Sequence, residues 1–122
     1  MLSFICLALT VAAVERPCSE HPQLVGACFT VRGRMRAYNG NPSIRVWRVG
    51  TTRILGVSDQ RFKLPDVVNL PADIESLVTT GRDLYADFVV CPFTREAPGV
   101  MQLVCVESAS NVTSRPVAER SR

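Results

Sequence analysis

Arg32, Arg34 and Arg36 alternate with Val31, Gly33 and Met35, and Arg45 and Trp47 follow on the far side of an Asn39-Gly40 pair. Side chains of an extended chain point to opposite faces in turn, so the three alternating arginines share one face. A guanidinium is planar, permanently charged and able to grip carboxylate or phosphate with two hydrogen bonds, and an indole offers a platform for a base or a sugar ring. This chemistry would hold an anionic ligand without transforming it. The competing use of the same residues is structural: arginines paired with acids, or Trp47 packed between Arg34 and Arg45 as a cation–π cluster.

Other chemistries find less support. A Ser-His-Asp triad would need His21, the single histidine, which lies between Glu20 and Pro22 in a polar stretch. Asp83 and Asp87 would share one face of a strand, where a solvated pair is the ordinary outcome. No Gly-rich phosphate loop is present, and Asn111-Val112-Thr113 matches a glycosylation sequon. The cysteines contain no Cys-x-x-Cys pair, so neither a metal nor another cofactor is expected. The expectation is therefore a protein that is not an enzyme.

Residues 2–14 form an uncharged apolar run too short to span a bilayer with ease, and Val11-Ala12-Ala13 supplies the small residues a signal peptidase requires. The reading is a signal peptide over residues 1–13 and no membrane span after its removal, although no Lys or Arg precedes Glu15. Cleavage would remove Cys6 and leave Cys18, Cys28, Cys91 and Cys105. In an exported chain of this size these imply two disulfides, for which three connectivities exist. Proximity along the chain favours Cys18 with Cys28 and Cys91 with Cys105.

Chemistry of this kind needs elements to hold it. At 122 residues and 47% hydrophobic content the chain has room for one domain and one core. The alternation over residues 29–37 predicts a first strand, with Asn39-Gly40 and Asn41-Pro42 reversing the chain. Ile44 and Val46 return to the buried face of a second strand, and residues 54–57 begin a third after Gly50. Pro71-Ala72-Asp73 opens a short helix with an apolar stripe of Ile74, Leu77 and Val78, ended by Gly81. Leu84, Ala86, Phe88 and Val90 mark a fourth strand and residues 100–106 a fifth. Three strands, a helix and two strands is the order of a small five-stranded OB-fold-like barrel, all-β with one short helix and stapled by disulfides. The domain is expected over residues 14–110. Residues 111–122, polar and containing Pro116, read as a flexible tail.

The stretches CFTVRGRMRAYNGNPSIRVWRVGTTRILGV and YADFVVCPFTREAPGVMQLVCVESASN resemble a group of small exported proteins of proteobacteria, over roughly residues 28–111. The resemblance implies a bacterial protein exported to the periplasm or secreted. It brings no activity and no site residue with it.

Net charge is only +3, yet its distribution is uneven. Residues 29–63 hold eight cations against Asp59 alone, whereas residues 64–110 hold seven carboxylates against Arg82 and Arg95. An electropositive strand face beside an aromatic platform points to an exported binding module for an anionic ligand: an acidic glycan, a lipid headgroup or, less favoured, single-stranded nucleic acid. Its contacts would be Arg32, Arg34, Arg36, Arg45 and Trp47, with Asn39 and Arg95 from the flanking loops. The alternative is a cell-envelope interaction or scaffold domain, docking onto a protein partner, in which the arginines are purely structural.

Overall fold

The computed structural model describes residues 3–5, 14–58 and 60–117. Most of the expected leader, including Cys6 and the cleavage point after Ala13, lies outside the described residues, as do Asp59 and residues 118–122. A short 3-10 turn at Cys18–Glu20 precedes β1 (Phe29–Ala37), β2 (Ile44–Arg48), β3 (Ile54–Val57), α1 (Ala72–Thr79), β4 (Arg82–Pro92) and β5 (Gln102–Pro116). The element order is the expected one. Every strand has two hydrogen-bonded neighbours, so the five-stranded sheet closes in a ring in the order β1-β2-β3-β5-β4. All pairings are antiparallel except β3 with β5, which run parallel because α1 and β4 intervene between them.

The period-two pattern accounts for the ring's two faces. Val31, Met35, Val46, Leu55, Leu84, Ala86, Phe88, Val90 and Val104 fill the interior, while Arg32, Arg34, Arg36, Arg45 and Trp47 point outward. Gly33 belongs to the inner set for a steric reason: a Cβ there would lie 2.4 Å from Val46 Cγ1 and 3.1 Å from the Trp47 carbonyl oxygen. Only a residue without a side chain lets β1 and β2 curve together at this point. Helix α1 follows Pro71, carries Asp73 and Glu75 in its first turn, and inserts Ile74 and Val78 into the same core. Its apolar stripe is narrower than predicted, since Leu77 is exposed.

β5 runs far beyond the expected strand over residues 100–106, and residues 111–116 belong to it and not to a flexible tail. β4 supplies the reason. Leu84 pairs with Ser114, Asp83 with Arg115 and Arg82 with Pro116, which satisfies the backbone groups of this polar segment. The Arg82 side chain adds hydrogen bonds to the hydroxyl and carbonyl of Ser114. Most of residues 108–116 are exposed, so no apolar alternation was needed to place them.

The disulfide pairing also differs from expectation: Cys18 is bonded to Cys105 and Cys28 to Cys91. Register decides it. Cys28 lies one residue beyond the Phe29–Val90 pair of β1 and β4, which brings it against Cys91, with the two Cα atoms 4.1 Å apart. The turn at Cys18–Glu20 docks on β5, where the Ser19 backbone N–H donates to Glu107 Oε2, and sets Cys18 beside Cys105. Both bonds sit in a second small core with Phe93, closed by Leu24, Phe62 and Leu103.

Bridges spanning 87 and 63 residues restrict the unfolded chain more than the short loops predicted from sequence proximity. Peptide mapping without reduction should recover the Cys18–Cys105 and Cys28–Cys91 pairs, and the paired change Cys18→Ala with Cys105→Ala should cost about 2–5 kcal/mol in denaturant unfolding. Gly33→Ala should cost about 1–3 kcal/mol in the same assay, by overpacking against Val46.

Candidate functional site: the outer face of β1, β2 and β3

Cross-strand register arranges the outward residues in rows. Arg34 of β1 lies opposite Trp47 of β2 on one side and Tyr85 of β4 on the other. Arg36 lies opposite Arg45, and Arg32 opposite Asp87. Trp47 in turn faces Ile54 of β3, and Arg45 faces Gly56. The face therefore runs around the ring from β4 to β3 through a band of arginines.

These arginines divide into two chemical groups. Arg36 forms a two-pronged ion pair with Asp83, Nε donating to Oδ1 at 2.7 Å and Nη2 to Oδ2 at 2.5 Å. Asp83 is buried rather than solvated. The hydrogen bond to Asp83 holds the Arg36 pKa above its ordinary value despite opposing burial. A raised arginine value removes stability only at pH beyond any working range, so this cation persists throughout. Arg32 Nη1 donates to the Asn111 carbonyl at 3.0 Å and lies 3.6 Å from Asp87 Oδ1. Both arginines thus have carboxylate partners on β4.

Arg34 and Arg45 have none among the described residues. The Arg34 guanidinium lies 5.0 Å from the centre of the Trp47 ring, and its Nη2 donates to the Tyr38 hydroxyl at 3.3 Å. Its Nε is buried without a hydrogen-bond partner among the described residues. Arg45 lies 5.0 Å from the centre of Tyr38, not over Trp47 as the sequence had led us to expect, and its Nε donates to the Pro42 carbonyl at 3.0 Å. Trp47 is fixed in turn, Nε1 donating to the Thr51 carbonyl at 2.7 Å. A ring face attracts a guanidinium without neutralising it, so these two cations keep their full charge in fixed positions. Tyr38 shares the outer parity with the arginines but is not among the contacts expected from sequence. Its place two residues after Arg36, just past the end of β1 on the same parity, is the available signal.

Two connections flank the face. Residues 38–43 join β1 to β2 with Gly40 at φ 115° and a cis Asn41–Pro42 peptide. Residues 93–101 join β4 to β5. Asn39 and Arg95 stand exposed in these connections, with no hydrogen bond or ion pair among the described residues. Phe93 is instead buried, stacked on Phe62 at 4.3 Å with His21 edge-on at 4.6 Å. Arg53 at the start of β3 donates to Gln102 and pairs with Glu96 at 3.2 Å.

His21 is no free base. It is 3% exposed, its Nδ1 accepts from the Gln23 backbone N–H at 3.1 Å, and its Nε2 is 2.7 Å from the Phe62 carbonyl. Those partners require the proton on Nε2 and leave neither nitrogen available. The Cys18, Cys91 and Cys105 sulfurs lie within 4.8 Å of one another, but each is in a disulfide and lacks the thiolate that ligates a metal. Among the described residues no helix is long and apolar enough to cross a membrane. No family model, curated protein or solved structure matches the chain at a significant level.

The division of the arginines is measurable. Arg36→Ala leaves Asp83 buried beside an empty position and should destabilise the fold by about 3 kcal/mol in denaturant unfolding. Changing Asp83 to Leu and Arg36 to Met together should return much of that loss. Arg34→Gln should cost less than Arg36→Ala, since no buried carboxylate loses an ion pair.

Proposed function

We propose that this chain is an exported, disulfide-bonded module of OB type that binds an anionic ligand on the outer face of β1, β2 and β3 and catalyses no reaction. The ring order β1-β2-β3-β5-β4, with the helix between β3 and β4, supports the OB reading. In such folds the face of the second and third strands, between the first and last hairpin loops, takes oligonucleotides and oligosaccharides. Two buried disulfides support an oxidising compartment, periplasmic or outside the cell.

One observation carries the binding reading: Arg34 and Arg45 lie over aromatic rings with no carboxylate partner among the described residues, on the face where Arg32 and Arg36 have one. A cation already paired with aspartate adds little attraction for a further anion. A cation fixed over a neutral ring retains its charge and loses little side-chain entropy when a ligand arrives. The contact set therefore centres on Arg34, Arg45 and Trp47 with Tyr38. Arg32 and Arg36 flank Arg34 on the same face of β1, paired with Asp87 and Asp83, and Asn39 and Arg95 belong to the flanking connections.

The test is calorimetric titration of the oxidised protein with glycerol phosphate, a sulfated disaccharide and an oligothymidylate, at low and high salt. Binding should weaken with salt, fall about tenfold or more in Arg34→Gln and in Arg45→Gln, and change little in Arg32→Gln. Binding that ignores Arg34 and Arg45, or no binding to any anion, would overturn the reading. In the latter case a protein partner captured in a salt-tolerant complex would favour the scaffold alternative.

A further inference from the structure

Beyond Trp47 the outer face changes character. Ile54 lies opposite Trp47 and is exposed, and next to it an open groove of about 690 Å³ runs between the start of β3 and residues 96–102. Ile54, Pro98, Val100 and Met101 supply its apolar walls, with Arg53 and Glu96 at the rim. Val100 is 66% exposed. Glu96 is the single carboxylate among the described lining residues, and it is paired with Arg53. The volume lies in the range of small-molecule sites, ~300–1,000 Å³.

Gly56 lies on β3 between Arg45 and the Met101 wall of this groove. It lies opposite Arg45, and the position its missing Cβ would take is 2.5 Å from Pro42 Cγ, 2.7 Å from Met101 Sδ and 3.1 Å from Leu103 Cδ2. Apolar atoms from the β1–β2 connection and from the start of β5 therefore meet directly over β3, beside the Arg45 that donates to Pro42. From β4 to β5 the face passes from ion pairs, through unneutralised cations on aromatic rings, to an apolar trough. Neighbouring strands are ~4.8 Å apart, so the cations and the trough lie within one or two strand spacings, a distance a short alkyl chain covers.

We propose that the site's ligand is a single-chain anionic amphiphile, its phosphate or carboxylate head on Arg34 and Arg45 and its alkyl chain in the groove walled by Ile54, Val100 and Met101. This rests on the anion-binding reading above and narrows it. Charge complementarity selects the head. The trough selects the tail: exposed apolar surface next to a charged face marks a place where something apolar is bound, and a concave groove between a strand and a loop suits one chain rather than a bilayer. Met101 is unbranched and adapts to chains of different length.

Trp47 is the only tryptophan of the chain and stands between the two halves of the site, so its fluorescence reports on both. The oxidised protein would be titrated with inorganic phosphate, with octyl, decyl and dodecyl phosphate below their micelle concentrations, with decyl glucoside, and with phosphatidylglycerol vesicles. The expected result is saturable one-to-one binding that tightens about fourfold per added methylene until the groove is full. Decyl phosphate should bind more tightly than decyl glucoside. Val100→Ser, a neutral change at an exposed position, should flatten the chain-length dependence and leave the phosphate response in place. Equal affinity for inorganic and alkyl phosphates would overturn this inference while leaving the anion site standing. No response to any anion would overturn both. Equal binding of the glucoside, or binding to vesicles alone, would overturn the assignment of head or of single chain respectively.

Discussion

The pairing of β1 with β4 is the constraint on which the rest of this molecule depends. β1 is bonded on both sides, to β2 by a short connection and to β4 across half the chain, and the second pairing closes the ring. Its register sets Val31 against Phe88 and Gly33 against Ala86 on the inside. On the outside it sets Arg32 against Asp87 and Arg34 against Tyr85. One residue further it brings Cys28 to Cys91. A shift by a single residue would turn every one of these side chains to the wrong face, so core, ion pairs and disulfide all specify the same alignment.

That alignment also explains why a basic half and an acidic half coexist in one small domain. Alternate aspartates of β4 neutralise Arg32 and Arg36, which would otherwise repel each other and their neighbours along the same face. Arg34 falls between them in register with Tyr85 and Trp47, and Arg45 has Tyr38, so aromatic rings take the place of acids there. The fold thereby tolerates a dense row of arginines and keeps part of their charge available. Arg115 repeats the device on β5, lying 5.4 Å from the centre of Tyr85.

At one end of the ring the two disulfides, Phe93, Phe62 and His21 form a dry plug. His21 serves there as a hydrogen-bonded spacer. Its ring bridges the Gln23 amide and the Phe62 carbonyl, so the segment before β1 and the loop after β3 are tied to the same point. Ile74 and Val78 of α1 complete the main core, the helix packing against β4 and β1. The loop between β3 and α1 is itself held by the N-terminal segment, Arg16 bridging to Val67 and pairing with Asp66 at 3.0 Å.

Local pattern determined much of this from sequence alone. The alternation of Val31, Gly33 and Met35 with three arginines fixed which side of β1 is wet, because strand geometry makes parity and face the same thing. The turn at Asn39-Gly40, the short helix after Pro71 and the order of elements were equally local. What depended on register was out of reach. Cys28 lies close to Cys18 along the chain, yet pairing of β1 with β4 delivers it to Cys91. Asp83 looked like one more solvated acid until Arg36 covered it. The strand from residue 107 to Pro116 carries no apolar alternation, because it is held by backbone bonds to β4 and largely faces water on both sides. Tyr38 and Gly56 gained their meaning only from Arg45, which lies over the Tyr38 ring and opposite Gly56. Sequence periodicity reports which face a residue occupies, whereas partners across strands are set by long-range closure of the ring, and that closure decided which arginines stand beside carboxylates and which beside aromatic rings.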